Sequence, residues 1–280
     1  MIVRAQPLMG TLTWVKVDAP PDDLPAQEAL AHALQVMAHI ARVMSAHDPR
    51  SDLGRMAHSA PGQRMVLDAH TVRVLRAAQH WAQVSGGAFQ PVRAAHLLIA
   101  QGVRPGLVRE GCVPASLSDV CVLSTTEVWM RQPVPMDFGG IAKGYAVDQA
   151  IEVLQAAGIS RAIVNAGGDL RMFGSPGFDV DLRHAGPGSG AGVRERRHAT
   201  LRRPAPCAVA TSVGPHPDTD FVRTRRGQRS AWQSATVMAP DCMTADVLTK
   251  WALQSSVLAP ELRLVLRKHQ AQLWRSRCSV

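Results

Sequence analysis

Aromatic residues are scarce in this chain: they make up 4% of it and include a single tyrosine. Proteins that hold single-stranded nucleic acid stack bases on aromatic rings, so this composition argues against that class. The net charge of +9 still leaves nucleic acid, an anionic membrane or a phosphorylated ligand as partners. Much of the excess lies in Arg194 to Arg203 and Arg223 to Arg229, which read as solvated loop faces. Long apolar runs are also missing. No window approaches about eighteen consecutive apolar residues, which excludes a transmembrane helix. Paired cysteines are missing as well. Cys112, Cys121, Cys207, Cys242 and Cys278 are scattered and odd in number, with no CxxC pair. HxxxH spacing is absent too, so neither a disulfide framework nor a zinc site is expected, and the thiols read as reduced and mostly buried. The segment after Met1 alternates like a strand and has no apolar stretch or nearby cysteine. No signal peptide or lipoprotein anchor is expected, and a cytoplasmic chain is, unless an export segment preceded this numbering.

What is present is ordinary globular material. The 280 residues are 46% apolar, enough for a substantial core. No repeat or linker divides them, so one domain over residues 1–280 is expected. Leu30, Leu34, Met37, Ala41 and Met44 recur at helical spacing and predict a helix from about Pro25 to Met44. Asp68 is a plausible N-cap for a second helix, ended by Gly86-Gly87. A third helix follows Gly139-Gly140 and stops at Gly158. A fourth starts after Asp241, with Met243, Val247 and Trp251 inward. Strands are expected at 161–165, 177–184 and 199–211. Helices and strands mix without a regular βαβ rhythm, which favours an α+β fold with mixed or antiparallel sheets.

The most informative segment is Met136-Asp-Phe-Gly-Gly-Ile-Ala-Lys-Gly-Tyr-Ala-Val-Asp148. It reads as a strand end feeding a Gly-Gly turn that opens a helix. Backbone N–H groups at such a turn, with Lys143 near, suit an anion. Asp137 sits where a carboxylate can accept bonds from a base edge or a ribose. A P-loop is excluded, because Tyr145 stands where that motif requires lysine.

The wider pattern resembles the ApbE family of FAD:protein FMN transferases. Met9-Gly10-Thr11, Ser45 through Ser51-Asp-Leu53, Gly86-Gly-Ala-Phe89, DFGGIAKGYAVDQA at 137–150, Asn165-Ala-Gly-Gly-Asp-Leu170, Ala210-Thr-Ser212, and Thr236-Val-Met-Ala-Pro-Asp241 with Ala245-Asp246 follow the family's order. The resemblance implies a T-fold-like α+β architecture that binds FAD. It also implies Mg²⁺-assisted cleavage of the FAD pyrophosphate, with FMN passed to a Thr or Ser of an acceptor flavoprotein. By position, Met9, Ala88, Phe89, Asp137 and Lys143 are expected to line the flavin site. His47 stands where the family has Tyr, and Gln90 where it has Asp.

The implied metal site departs furthest. The family uses an Asp, a Thr four residues later and a backbone oxygen near the Gly-Gly turn, here Gly140. The Asp is Asp246, but the Thr position holds Lys250. Magnesium requires oxygen ligands, and an ammonium about 4 Å from it costs roughly 8 kcal/mol at an effective dielectric of 20. Lys250 is therefore expected to occupy the metal's place, paired with Asp246 and facing the flavin phosphates; the alternative is a solvated Lys on a helix face. The family's histidine motif is absent from 213–227, where His216 is the nearest candidate base. Three functions stay open: an active transferase using Asp246, a flavin-binding protein without transfer, and, ranked lower, a basic nucleic-acid binder.

Overall fold

The computed structural model describes residues 1–100, 115–180, 207–213, 232–254 and 258–277. The chain divides into two compact units, one of Met1–Met37 and Lys143–Val280, the other of Ala38–Ala142. The division falls within the first helix, α1 (Leu24–Val43), which the apolar spacing located to within a residue or two.

The first unit is built on a seven-stranded sheet in which every described pairing is antiparallel. Its strands are β1 (Ile2–Leu8), β2 (Thr11–Val17), β6 (Ala162–Ala166), β7 (Asp169–Phe173), β8 (Cys207–Val213), β9 (Trp232–Ala239) and β10 (Gln272–Arg277), in that spatial order. Side chains alternate between faces along each strand. One face carries Ile163, Leu170, Met172, Val209 and Met238, which pack with Phe178, Val180 and Trp14. The other face presents small residues, Ala208, Ala210 and Ala239. The helix α6 (Cys242–Gln254) packs against β8 and β9. The helix α5 (Ala142–Ala156) precedes β6, and α7 (Pro260–Lys268) precedes β10.

Three expectations are overturned and one helix is new. The first segment is a hairpin, not one strand: Met9 and Gly10 both take positive φ, 53° and 73°, and form the two-residue turn. Residues 177–180 belong to no strand, although Phe178 and Val180 are buried; their alternation reports packing, not pairing. The remainder of that expected strand, and the part of 199–211 before Cys207, lie outside the described residues. The amphipathic α7 was not foreseen, despite Pro260 at its first position. Lastly, Asp137 does not end a strand. Residues 133–138 are unladdered, because Pro133 and Pro135 have no N–H to give a neighbouring strand.

The second unit holds a three-stranded antiparallel sheet, β3 (Arg64–Val66), β5 (Glu127–Met130) and β4 (Val120–Val122), in that order. The same unit holds α2 (Asp52–Ala57), α3 (Ala69–Val84) and α4 (Pro91–Ala100). Asp68 caps α3 as expected, accepting from the His70 N–H at 2.8 Å. Among the described residues, no helix is long and apolar enough to cross a membrane.

Candidate functional site

The site grows from the junction of α5 and α6. A Cβ built on Gly144 would lie 2.4 Å from the Cys242 carbonyl oxygen, so only glycine lets the two helix starts approach this closely. Asp148 lies one turn along the same face of α5. It accepts from the Cys242 and Met243 N–H groups at 2.9 and 2.8 Å, capping α6 from outside its own chain segment. Arg171 donates to the same carboxylate at 2.9 Å. Burial pushes Asp148 up to about 6, against the pull of Arg171 and the two N–H groups.

Beside this junction sit four charges. Lys143 on α5 is bonded to Asp169, the first residue of β7, and lies 4.0 Å from Asp246 on α6. Lys250 is bonded to the other oxygen of Asp246, one helical turn away. The Gly144 N–H also reaches Asp246, at 3.3 Å. Asp169 and Asp246 are sunk, with side chains 2% and 0% exposed, whereas Lys143 and Lys250 keep 26% and 25%. Two negative charges therefore lie beneath two positive ones, and the solvent-facing layer is cationic.

The electrostatics follow from that layering. Burial raises Asp169, and the neighbouring Asp246 charge adds to it. Burial also acts to raise Asp246, but Lys143, Lys250 and the Gly144 N–H outweigh it and hold that carboxyl below its ordinary value. Burial pulls Lys143 down, and the two carboxylates more than reverse this, so it stays protonated. A chain of hydroxyls braces the group. Ser212 on β8 meets Thr249 at 2.6 Å, and Thr249 donates to the Asp246 carbonyl at 2.7 Å.

This donor set does not fit magnesium. One Asp246 oxygen is held by Lys250, and the other faces Gly144 N–H and Lys143.

The profile of the ApbE family matches residues 9–271. The chain belongs to the ApbE family. It is 26% identical over 230 residues to the FAD:protein FMN transferase of Treponema pallidum, covering 75% of this chain and 63% of that one. To the FAD:protein FMN transferase of Rhodobacter capsulatus it is 29% identical over 181 residues, covering 61% of this chain and 34% of that one. The chain thus spans under two thirds of the length of both relatives. In fold it resembles the apo form of the flavinyl transferase ApbE of Pseudomonas stutzeri, with a TM-score of 0.77 at 18% identity, covering 100% of this chain and 91% of that one. The α+β expectation holds.

Met9 occupies the β1–β2 turn. That turn is at the same end of the sheet as Asp169 and Ser212, because β2 starts where β6 ends and β7 begins. In the second unit, Ala88, Phe89 and Gln90 follow the C-terminus of α3, with Phe89 buried and its N–H bonded to Ser85 Oγ at 2.9 Å. The Asp137 N–H meets the Pro91 carbonyl at 3.1 Å, which brings Asp137 to this loop, and its carboxylate closes the Gly139 turn at 2.8 Å. Gly140 lies in that turn, and His47 is exposed in the loop after α1. Gln90 Oε1 is buried and has no hydrogen-bond partner among the described residues. His216 and both Arg-rich stretches lie outside the described residues.

Sequence reasoning gives no role to Asp169, Asp148, Arg171, Ser212 or Thr249, although Asp148, Asp169 and Ser212 fall inside the family-like segments. Asp169 carried a readable signal, a carboxylate directly after Gly167-Gly168 at the head of a strand. The others become visible only through strand register and helix contact.

Proposed function

We propose that this chain binds FAD as an FAD:protein FMN transferase-like protein, with its Lys143 and Lys250 ammonium groups facing the flavin diphosphate. The observation that carries the reading is the cationic layer over Asp169 and Asp246. Charge-assisted hydrogen bonds from ammonium to phosphate oxygen are the strong kind. The FAD:protein FMN transferase relatives supply the ligand class. By the family resemblance, Gln90 is read as a further flavin contact. Met9, His47, Ala88, Phe89 and Asp137 are read as the remaining flavin contacts.

In the transfer reaction, a Thr or Ser hydroxyl of an acceptor flavoprotein attacks the FMN phosphorus. The bond to the AMP oxygen breaks, AMP departs carrying that oxygen, and the hydroxyl proton passes to solvent or to the departing phosphate. This chain's residues contribute positioning and charge. Asp246, engaged by two cations, is a poor base, and its role is to position Lys250. The test is incubation with FAD and a Thr-containing acceptor peptide, read by mass spectrometry for a gain of FMN matched by AMP release. Binding of FAD without either product establishes the second reading, a flavin-binding protein without transfer. That reading is favoured by Lys250 lying on the carboxylate where the family pattern implies a metal ligand. Absence of FAD binding overturns both. The Arg-rich stretches on which nucleic-acid binding would rest lie outside the described residues.

A further inference from the structure

We infer that the Lys143–Lys250 pair forms a metal-independent diphosphate site, in which the Lys250 ammonium is a tethered cation that excludes a divalent ion. The inference rests on the flavin reading only for the identity of the group attached to the diphosphate.

Three observations support it. Asp246 is fully buried, and both of its oxygens are engaged. A divalent ion could use them only after displacing an ammonium, which would then lie beside the ion and repel it. Second, the tether is fixed. Lys250 follows Asp246 by one turn of α6, and Thr249, locked between Ser212 and the Asp246 carbonyl, lies 3.4 Å from its Nζ. A side chain held on both sides loses little freedom on meeting a ligand. Third, Lys143 stands on the opposite side of the same carboxylate and is itself anchored by Asp169. Two ammonium groups sharing one buried counter-ion present donors to two phosphates at once, and neither needs to be recruited from solution.

The site would therefore take an organic diphosphate without added metal, and it would do so in EDTA. Three proteins separate the outcomes: wild type, Lys250→Thr, which restores an oxygen ligand at the i+4 position, and Lys250→Arg, which keeps the charge. Inorganic pyrophosphate and FAD are titrated with and without EDTA, and Mn²⁺ binding is followed by its electron paramagnetic resonance signal. Wild type is expected to bind pyrophosphate and FAD equally in EDTA and to leave Mn²⁺ free. Lys250→Thr is expected to lose about tenfold in pyrophosphate affinity in EDTA, to bind Mn²⁺, and to regain affinity when Mn²⁺ is added. Lys250→Arg is expected to retain most of the wild-type affinity. Micromolar Mn²⁺ binding to wild type, loss of its pyrophosphate binding in EDTA, or unchanged pyrophosphate affinity in Lys250→Thr overturns the inference. Pyrophosphate binding without FAD binding sinks the flavin reading and leaves this one standing. FAD binding that requires metal does the reverse. Circular dichroism of each variant confirms the fold, and an unfolded Lys250→Thr leaves wild type and Lys250→Arg to decide.

Discussion

Gly144 and Cys242 meet backbone against backbone: a Cβ on the first would stand 2.4 Å from the carbonyl oxygen of the second. Neither helix can give way without moving the charges that flank the contact, since Lys143 and Asp246 are neighbours of the two residues in their helices. Gly144→Ala is therefore expected to destabilise the protein by about 2–3 kcal/mol through overpacking. The usual gain from replacing a helical glycine is about 1 kcal/mol. Urea unfolding checks this, and a stabilised variant would contradict the contact.

Asp148 makes stability depend on pH. Its carboxyl titrates at about 6 in the fold, against 3.8 ordinarily. The unfolded chain ionises first as pH rises, so this group removes stability between about pH 4 and pH 6, by roughly 3 kcal/mol in total. Asp148→Asn cannot ionise, and its unfolding free energy is expected to lack that fall. Identical pH slopes in wild type and variant would show that Asp148 does not titrate there.

Lys143 neutralises a carboxylate with almost no access to water. Lys143→Met is expected to cost about 3 kcal/mol or more, by leaving Asp169 buried without its counter-ion. Adding Asp169→Asn should restore a large part of that loss, because the penalty is an uncompensated charge. Strictly additive losses in the double-mutant cycle would mean the two residues do not interact.

Met9 holds a left-handed backbone at φ 53° in a two-residue hairpin turn, a position suited to Asn or Gly. Met9→Asn is expected to raise stability by about 1 kcal/mol and to weaken FAD binding, if the Met side chain is retained there for the flavin. A stabilised variant with unchanged FAD affinity would remove Met9 from the flavin contacts.

Much of this was legible in the chain itself, for reasons that differ from element to element. Helical periodicity located α1 and α3, whose buried residues fall on one face; α5 and α6 are buried nearly all round, and glycine at 139–140 and 158 and Asp241 marked their ends instead. The Asp246–Lys250 pair was readable because i and i+4 share a helix face. Asp169 had a local signal, a carboxylate directly after Gly167-Gly168, but its meeting with Lys143 depends on contact between α5 and β7, a relation between separate segments. Asp148 was hidden differently: its partners are backbone N–H groups of another helix, which have no sequence signature. The hairpin at Met9-Gly10 was read as continuous strand because its turn begins with Met, a residue that seldom takes positive φ.

The central claim is that the paired ammonium groups grip the diphosphate of FAD, and fluorescence titration of FAD against riboflavin tests it most directly. In EDTA, wild type is expected to bind FAD more tightly than riboflavin by at least about tenfold. Lys250→Thr should narrow that gap by weakening FAD alone. Equal affinity for FAD and riboflavin in wild type, or a gap untouched by the substitution, would contradict the account.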